Sequence, residues 1–219
     1  MRVKSDNMIY GAYIDDNKPI DEIIKAIGDI YDQYNWLITD QQIFSDKYEG
    51  LFANKDYVWL TGKEFRKMAE SNDLYAIWCV ASAFPQNITL EEILKYELPY
   101  ADGNADFWVD DVKLQTPLSE LEIVIFDGCS CFILSKHKAH RDLFLENING
   151  SYDLIENNRK TNAITTIITD EVRNMQEYIE NDNFVWLIYH AIFNNIAIDS
   201  KYDSLLINCK TRLKTHGLL

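Results

Sequence analysis

Apolar residues recur along the first two thirds of the chain in two rhythms, and these set the elements. Met8–Ile14 is apolar and aromatic and reads as a strand; Asp15-Asp16-Asn17-Lys18-Pro19 then turns the chain. Ile20, Ile23, Ile24, Ile27, Tyr31 and Tyr34 follow at helical spacing, which predicts an amphipathic helix over residues 20–34. Trp36–Thr39 and Tyr57–Leu60 have the length and composition of short strands. Thr61-Gly-Lys-Glu64 and Thr89-Leu-Glu-Glu92 have capping-box spacing, so each should open a helix. The apolar run Leu74–Phe84 reads as a strand covered on both faces and stopped by Pro85.

The sharpest local signal is Leu121–Phe126, then Asp127-Gly128, then Cys129–Leu134. Asp-Gly between apolar runs predicts a two-residue hairpin turn, because both central residues need positive φ. That register sets Phe126 against Cys129, Val124 against Cys131 and Glu122 against Ile133. Both faces are apolar, which places the hairpin in mid-sheet. A helix should follow over residues 136–148. Tyr152–Ile155 and Ala163–Ile168 are candidate closing strands, separated by a polar stretch, residues 156–162, with loop chemistry.

The end of the chain reads as three helices. Residues 170–181 present Val172, Met175 and Ile179. Phe184–Ile196 is apolar nearly all round, with His190 as a core histidine, and should be the most buried of the three. Ser200-Lys-Tyr-Asp203 opens the last, with Leu205, Cys209 and Leu213 on one face. These readings predict an α+β protein. A mainly antiparallel sheet has the hairpin 121–134 at its centre with helices against it, in a domain over residues 1–168. A helical segment, residues 169–219, packs on it, with Trp186, Ile188 and Ile192 in its core.

Tyr75-Ala-Ile-Trp-Cys-Val-Ala-Ser-Ala-Phe-Pro85, the run Leu121–Leu134, the charged helix after it and Tyr152-Asp-Leu-Ile155 resemble a small uncharacterised family of Bacillus-type proteins. The resemblance covers residues 8–168 and implies the same order of strand, helix, strands, hairpin, helix and closing strands. It implies no activity and no catalytic residues. Cys129, Cys131, the acidic residues 97–118 and the helical tail depart from the family's pattern.

Charge then narrows the function. The formal net charge is −14. Residues 91–127 hold Glu91, Glu92, Glu97, Asp102, Asp106, Asp110, Asp111, Glu120, Glu122 and Asp127 against only Lys95 and Lys113. A field of that sign repels nucleic acid and anionic membrane and attracts cations or a basic protein. The opening residues lack an apolar signal-peptide core, and no apolar run approaches the roughly 20 residues a bilayer needs. Cys79, Cys129, Cys131 and Cys209 have no disulfide-framework spacing, so they read as reduced thiols of a cytoplasmic protein.

Three constellations carry possible chemistry. Cys129-x-Cys131 followed by His137-x-x-His140 supplies four zinc-type ligands, but without the usual two-to-four-residue Cys spacing. The plainer reading is two core thiols beside an exposed helix start. The basic run Ser135–Arg141 opposes its helix dipole, which calls for a bound anion or, as favoured here, compensation by the protein's own acids. Asp102, Asp106, Asp110 and Asp111 offer oxygen ligands or acid–base carboxylates without the spacing of a calcium loop, so a solvated acidic loop is the plain alternative. P-loop, dinucleotide, nucleophile-elbow and HExxH motifs are absent.

The expectation is therefore a non-catalytic bacterial interaction protein without cofactor, comparable in kind to acidic immunity proteins. A mobile acidic insertion over residues 97–118 would bind a basic protein through Asp102, Asp106, Phe107, Trp108, Asp110 and Asp111. The alternative is a small hydrolase or metal-dependent enzyme using Asp102, Asp106 and Asp110, or Cys129, Cys131, His137 and His140. Oligomeric state is not readable from the sequence.

Overall fold

A computed structural model describes residues 8–16, 18–174 and 182–219. The chain divides into two compact units, one ending at Ile155 and one beginning at Glu156.

The first unit is an antiparallel sheet with a different layer on each face. Its strands are β1 (Tyr10–Ile14), β2 (Tyr34–Thr39), β4 (Tyr57–Thr61), β6 (Cys79–Pro85), β7 (Leu121–Phe126), β8 (Ser130–Ser135) and β9 (Tyr152–Asp153), in the order β4-β2-β6-β7-β8-β1-β9. A two-stranded ribbon pairs β3 (Ile43–Phe44) with β5 (Tyr75–Ala76). Between the strands lie α1 (Ile20–Ala26), α2 (Glu49–Phe52), α3 (Gly62–Ala69), α4 (Leu90–Ile93) and α5 (Lys138–Asn147). This is the α+β architecture with a central hairpin that the apolar pattern predicts.

Alternation along the strands sorts side chains between the faces. One face carries Ala12, Trp36, Ile38, Leu60, Cys79, Ile123, Ile125, Cys131 and Ile133 against Ile23 and Ile24 of α1, Phe65 and Met68 of α3 and Phe144 of α5. Trp36 stacks on Phe65 at a centroid distance of 4.1 Å. The other face carries Tyr13, Val80, Val124, Phe132 and Leu134. Here the covering layer is the acidic segment itself, through Ala101, Phe107 and Val112.

Four local expectations are corrected. First, the helix predicted over 20–34 stops at Ala26. Gly28 turns at φ 71°, a 3-10 helix spans Gly28–Gln33, and Tyr34 already belongs to β2. Second, Leu74–Phe84 is not one strand: residues 77–78 separate β5 from β6.

Third, the hairpin loop has three residues. Asp127 (φ 52°) and Gly128 (φ 61°) take the expected conformation, but Phe126 pairs with Ser130, Val124 with Phe132 and Glu122 with Leu134. The Gly128 N–H is spent on the Ile77 carbonyl at 2.7 Å, so the turn is tied to the chain beside it. A shift of one residue exchanges the faces of a strand. Cys131 and Ile133 therefore join Ile123 and Ile125, and Glu122 stands among Val124, Phe132 and Leu134.

Fourth, Ala163–Ile168 is not a strand and residues 156–162 are not a loop. Both lie in α6 (Leu154–Arg173). The β-branched run mimics a strand, but Ile164, Ile167, Ile168 and Val172 recur at helical spacing and are buried together. Thr165 and Thr166 donate their hydroxyls to the carbonyls of Thr161 and Asn162 one turn back, which suits a helix.

The second unit packs α6 with α7 (Asp182–Phe193) and α8 (Asp203–Thr215) around Ile168, Val172, Ile188, Ile192, Leu205, Cys209 and Leu213. Arg212 of α8 pairs with Glu171 at 2.7 Å and with Asp170 at 3.5 Å. Ile188 and Ile192 are core residues as expected, but Trp186 and Leu187 are exposed, so α7 is not buried all round. His190 is half-buried rather than in the core; its Nδ1 meets the Asn194 side-chain amide at 2.8 Å. The expected contributions of Met175 and Ile179 lie outside the described residues. Among the described residues no helix is long and apolar enough to cross a membrane.

Candidate interaction surface

The acidic segment is pinned to the sheet by polar side chains that accept from its backbone. Asp40, at the end of β2 with φ 45°, accepts from the N–H groups of Ala101 at 2.6 Å and Asp102 at 2.7 Å. Buried Asn104 donates to the Tyr100 carbonyl and to Gln115 Oε1, and its own oxygen accepts from Asp106 N–H at 2.9 Å. That bond caps a 3-10 helix, Ala105–Trp108. Gln115 Oε1 also accepts from Tyr100 N–H at 2.9 Å, so the two ends of the segment are tied to each other.

This frame sorts the predicted partner-binding residues. Phe107 is only 1 % exposed and lies 5.0 Å from Phe132, nearly parallel to it. It anchors the segment and is not a contact residue, because the three-residue period of the 3-10 turn sends Phe107, like Asn104, inward and Ala105, Asp106 and Trp108 outward. Trp108 is 38 % exposed, with its edge against Tyr13 (5.4 Å) and Phe132 (5.0 Å). Asp102, Asp106, Asp110 and Asp111 of the same segment are exposed. Leu94, Tyr96, Tyr100 and Val109 are also exposed, as is Glu97. Five large apolar side chains therefore face solvent within residues 94–109, interleaved with carboxylates. A cleft of about 370 Å³ opens on the same segment, lined by Asp106, Val109, Asp111, Lys113 and Gln115 among others. Asp111 pairs with Lys113 at 3.3 Å. Asp102 and Asp110 do not line this cleft, so the carboxylates of the enzyme reading are not united in it.

The Cys/His set is not brought together either. Cys129 is exposed in the hairpin loop, and Cys131 is buried near Cys79 on the helix-covered face. Burial pushes the Cys79 thiol up to about 12 and the Cys131 thiol up as well, which disfavours the nucleophilic and metal-binding thiolate. His137 and His140 lie past the far end of β8, some 13 Å or more along a strand that rises about 3.3 Å per residue. Among the described residues no three His, Cys, Asp or Glu side chains are placed to hold a metal ion.

The histidines belong to a charge cluster at that end. Glu120 pairs with Lys136 at 3.1 Å and with His137 at 3.0 Å. Lys138 pairs with Asp142 at 2.6 Å, and Arg141 with Asp142 and Asp153. The protein's own carboxylates thus compensate the basic run Ser135–Arg141. His140 Nδ1 lies 2.8 Å from Ser135 Oγ; burial first, then the nearby His137, lowers its pKa to about 4, so it stays neutral.

Sequence reasoning missed Asp40, Asn104, Gln115 and Glu122 as the groups that hold the segment. For Glu122 there was a signal, a lone acid within Leu121–Phe126; the others look like ordinary loop residues.

Residues 12–109, just under half of the chain, match the family described as "Protein of unknown function (DUF2691)". The matched stretch runs from β1 to the residue after Trp108. No curated protein and no solved structure matches the chain. Over β1 to the acidic segment the chain is therefore similar to an uncharacterised family.

Proposed function

We propose that this is a non-catalytic binding protein whose acidic face, residues 94–111, engages a basic protein partner. The observation that carries the reading is the interleaving of exposed Leu94, Tyr96, Tyr100, Trp108 and Val109 with exposed Glu97, Asp102, Asp106, Asp110 and Asp111 on a segment already fixed to the sheet. Charges steer a partner of opposite sign and raise the association rate, while aromatic side chains supply most of the binding energy. A backbone fixed beforehand lowers the entropy cost of association. The net charge of −14 disfavours nucleic acid and anionic membrane as partners. By class analogy the profile suits acidic immunity proteins, which neutralise a basic toxin. We take the protein as bacterial on its Asn- and Ile-rich composition, as Bacillus-type on its resemblance over residues 8–168, and as cytoplasmic on its unpaired thiols.

The product of the gene adjoining its own, if basic, is the first partner to co-express. With it, replacing Asp106, Asp110 and Asp111 together by Asn should slow association about tenfold at low salt and flatten the dependence on ionic strength. Trp108→Ala should raise the dissociation rate about tenfold or more, with association little changed. Surface plasmon resonance across a salt series reads both. A bound partner indifferent to both changes would place the binding site elsewhere.

A further inference from the structure

Among the described residues, Glu122 is the one acid that a strand itself carries on the sheet face covered by the acidic segment. It is fully buried, with Ser82 of β6 on one side and Leu134 of β8 on the other. Its carboxylate accepts from the backbone N–H of Gln115 (3.0 Å) and Thr116 (3.3 Å) and from the Ser119 hydroxyl (3.0 Å). These donors form the turn that ends the acidic segment, and Gln115 is the residue that also holds Tyr100 and Asn104. Glu122 thus grips the segment at its return to the sheet.

The same place holds acceptors that nothing uses. Ser82 Oγ and Thr116 Oγ1 are buried and have no hydrogen-bond partner among the described residues. The Ser119 hydroxyl, 3.0 Å from Glu122, has a single hydrogen that can go to the Thr116 carbonyl at 2.7 Å, so its oxygen can accept from a protonated Glu122 while the second carboxyl oxygen keeps the Gln115 N–H. Opposing charge is scarce. From the 115–119 turn come only amides and hydroxyls, from β6 a serine and from β8 a leucine. Lys136, just beyond β8, is the nearby cation, and it is shared with Glu120 and the Pro117 carbonyl. Burying an ionised carboxylate without a dedicated cation is costly, whereas a neutral one is well served here.

We propose that Glu122 is a proton-operated clasp: neutral, it closes the 115–119 turn onto the sheet; ionised, it loosens that turn and the acidic segment tied to it. Burial pushes its pKa from 4.5 up to about 7, against the lowering pull of the Gln115, Thr116 and Ser119 hydrogen bonds. In an open state, with Glu122 in water, the pKa returns to its ordinary value. Between these two values the closed form holds a proton that the open form has lost. Opening therefore grows as pH rises through this window and levels off above about 7. This rests on the fold alone and not on the binding reading.

Hydrogen exchange of the backbone amides of residues 100–119, corrected for intrinsic exchange, tests it on the full chain. The opening constant should rise roughly fiftyfold between pH 5 and pH 7.5. In Glu122→Gln, which is neutral at every pH, it should not change with pH. Should that variant fail to fold, carbon NMR of the Glu122 carboxyl in the wild type decides, with a titration midpoint near 7 expected. Opening that is flat with pH in the wild type, or a carboxyl titrating in the ordinary range, overturns the clasp.

Discussion

Alanine in place of Gly62 should destabilise the first unit by about 3 kcal/mol, near the upper end for overpacking. A Cβ at this position would lie 2.3 Å from the Tyr31 carbonyl oxygen, 2.7 Å from Asp32 Cα and 2.8 Å from the Tyr34 carbonyl oxygen. All three are backbone atoms, so no rotamer change relieves the contact. The Tyr31 carbonyl also accepts the Trp36 indole N–H at 3.0 Å, and Trp36 stacks on Phe65 of the helix that Gly62 begins. Moving α3 away would break the stack and the Arg66–Asp32 pair at 2.6 Å, and moving the Tyr31 carbonyl instead would break its bond to Trp36. Thermal unfolding should show a fall in Tm on the order of 10 °C for a unit of this size. Lys63→Ala, one residue on and exposed, should be near neutral. A loss below about 1 kcal/mol for Gly62→Ala would mean that α3 shifts freely on the 3-10 turn.

The capping boxes at Thr61 and Thr89 were legible because the chemistry is local: each hydroxyl accepts from an N–H three residues on, and each Glu returns the bond. Gly62 inside the first box was not. Its reason is the backbone of residues 31–34, which sequence spacing does not reveal. The hairpin marks the same divide. Asp127-Gly128 announced the turn, but the loop's third residue depended on a bond from Gly128 to Ile77, so the register and both faces came out one residue wrong. Residues 163–168 show a conflict of another kind. Ile and Thr favour strands, and only packing of Ile164, Ile167 and Ile168 with Val172 decides for a helix. Of the acidic face, the residues at its rim were readable as charge and aromatics. That it forms a layer of the fold was not, since Pro99, Gly103 and Pro117 look like loop breakers whatever lies beneath them.

Phe107→Ala should cost the first unit about 3–5 kcal/mol, because the ring is buried between the sheet and its own segment. Phe107 lies 5.0 Å from Phe132 and 6.2 Å from Phe126, so its loss opens a cavity beneath the 3-10 turn. Phe107→Leu keeps much of the volume and should cost less than about 1.5 kcal/mol. Urea denaturation of the two variants measures the difference. The comparison also separates scaffold from contact. Trp108→Ala removes a half-exposed ring one residue away and should cost far less stability, while weakening partner binding more per unit of stability lost. If Phe107→Ala left stability unchanged, the acidic segment would be an appendage rather than a layer of the fold. The prior fixing of Trp108 and the neighbouring carboxylates, on which the proposed binding rests, would then have no structural basis.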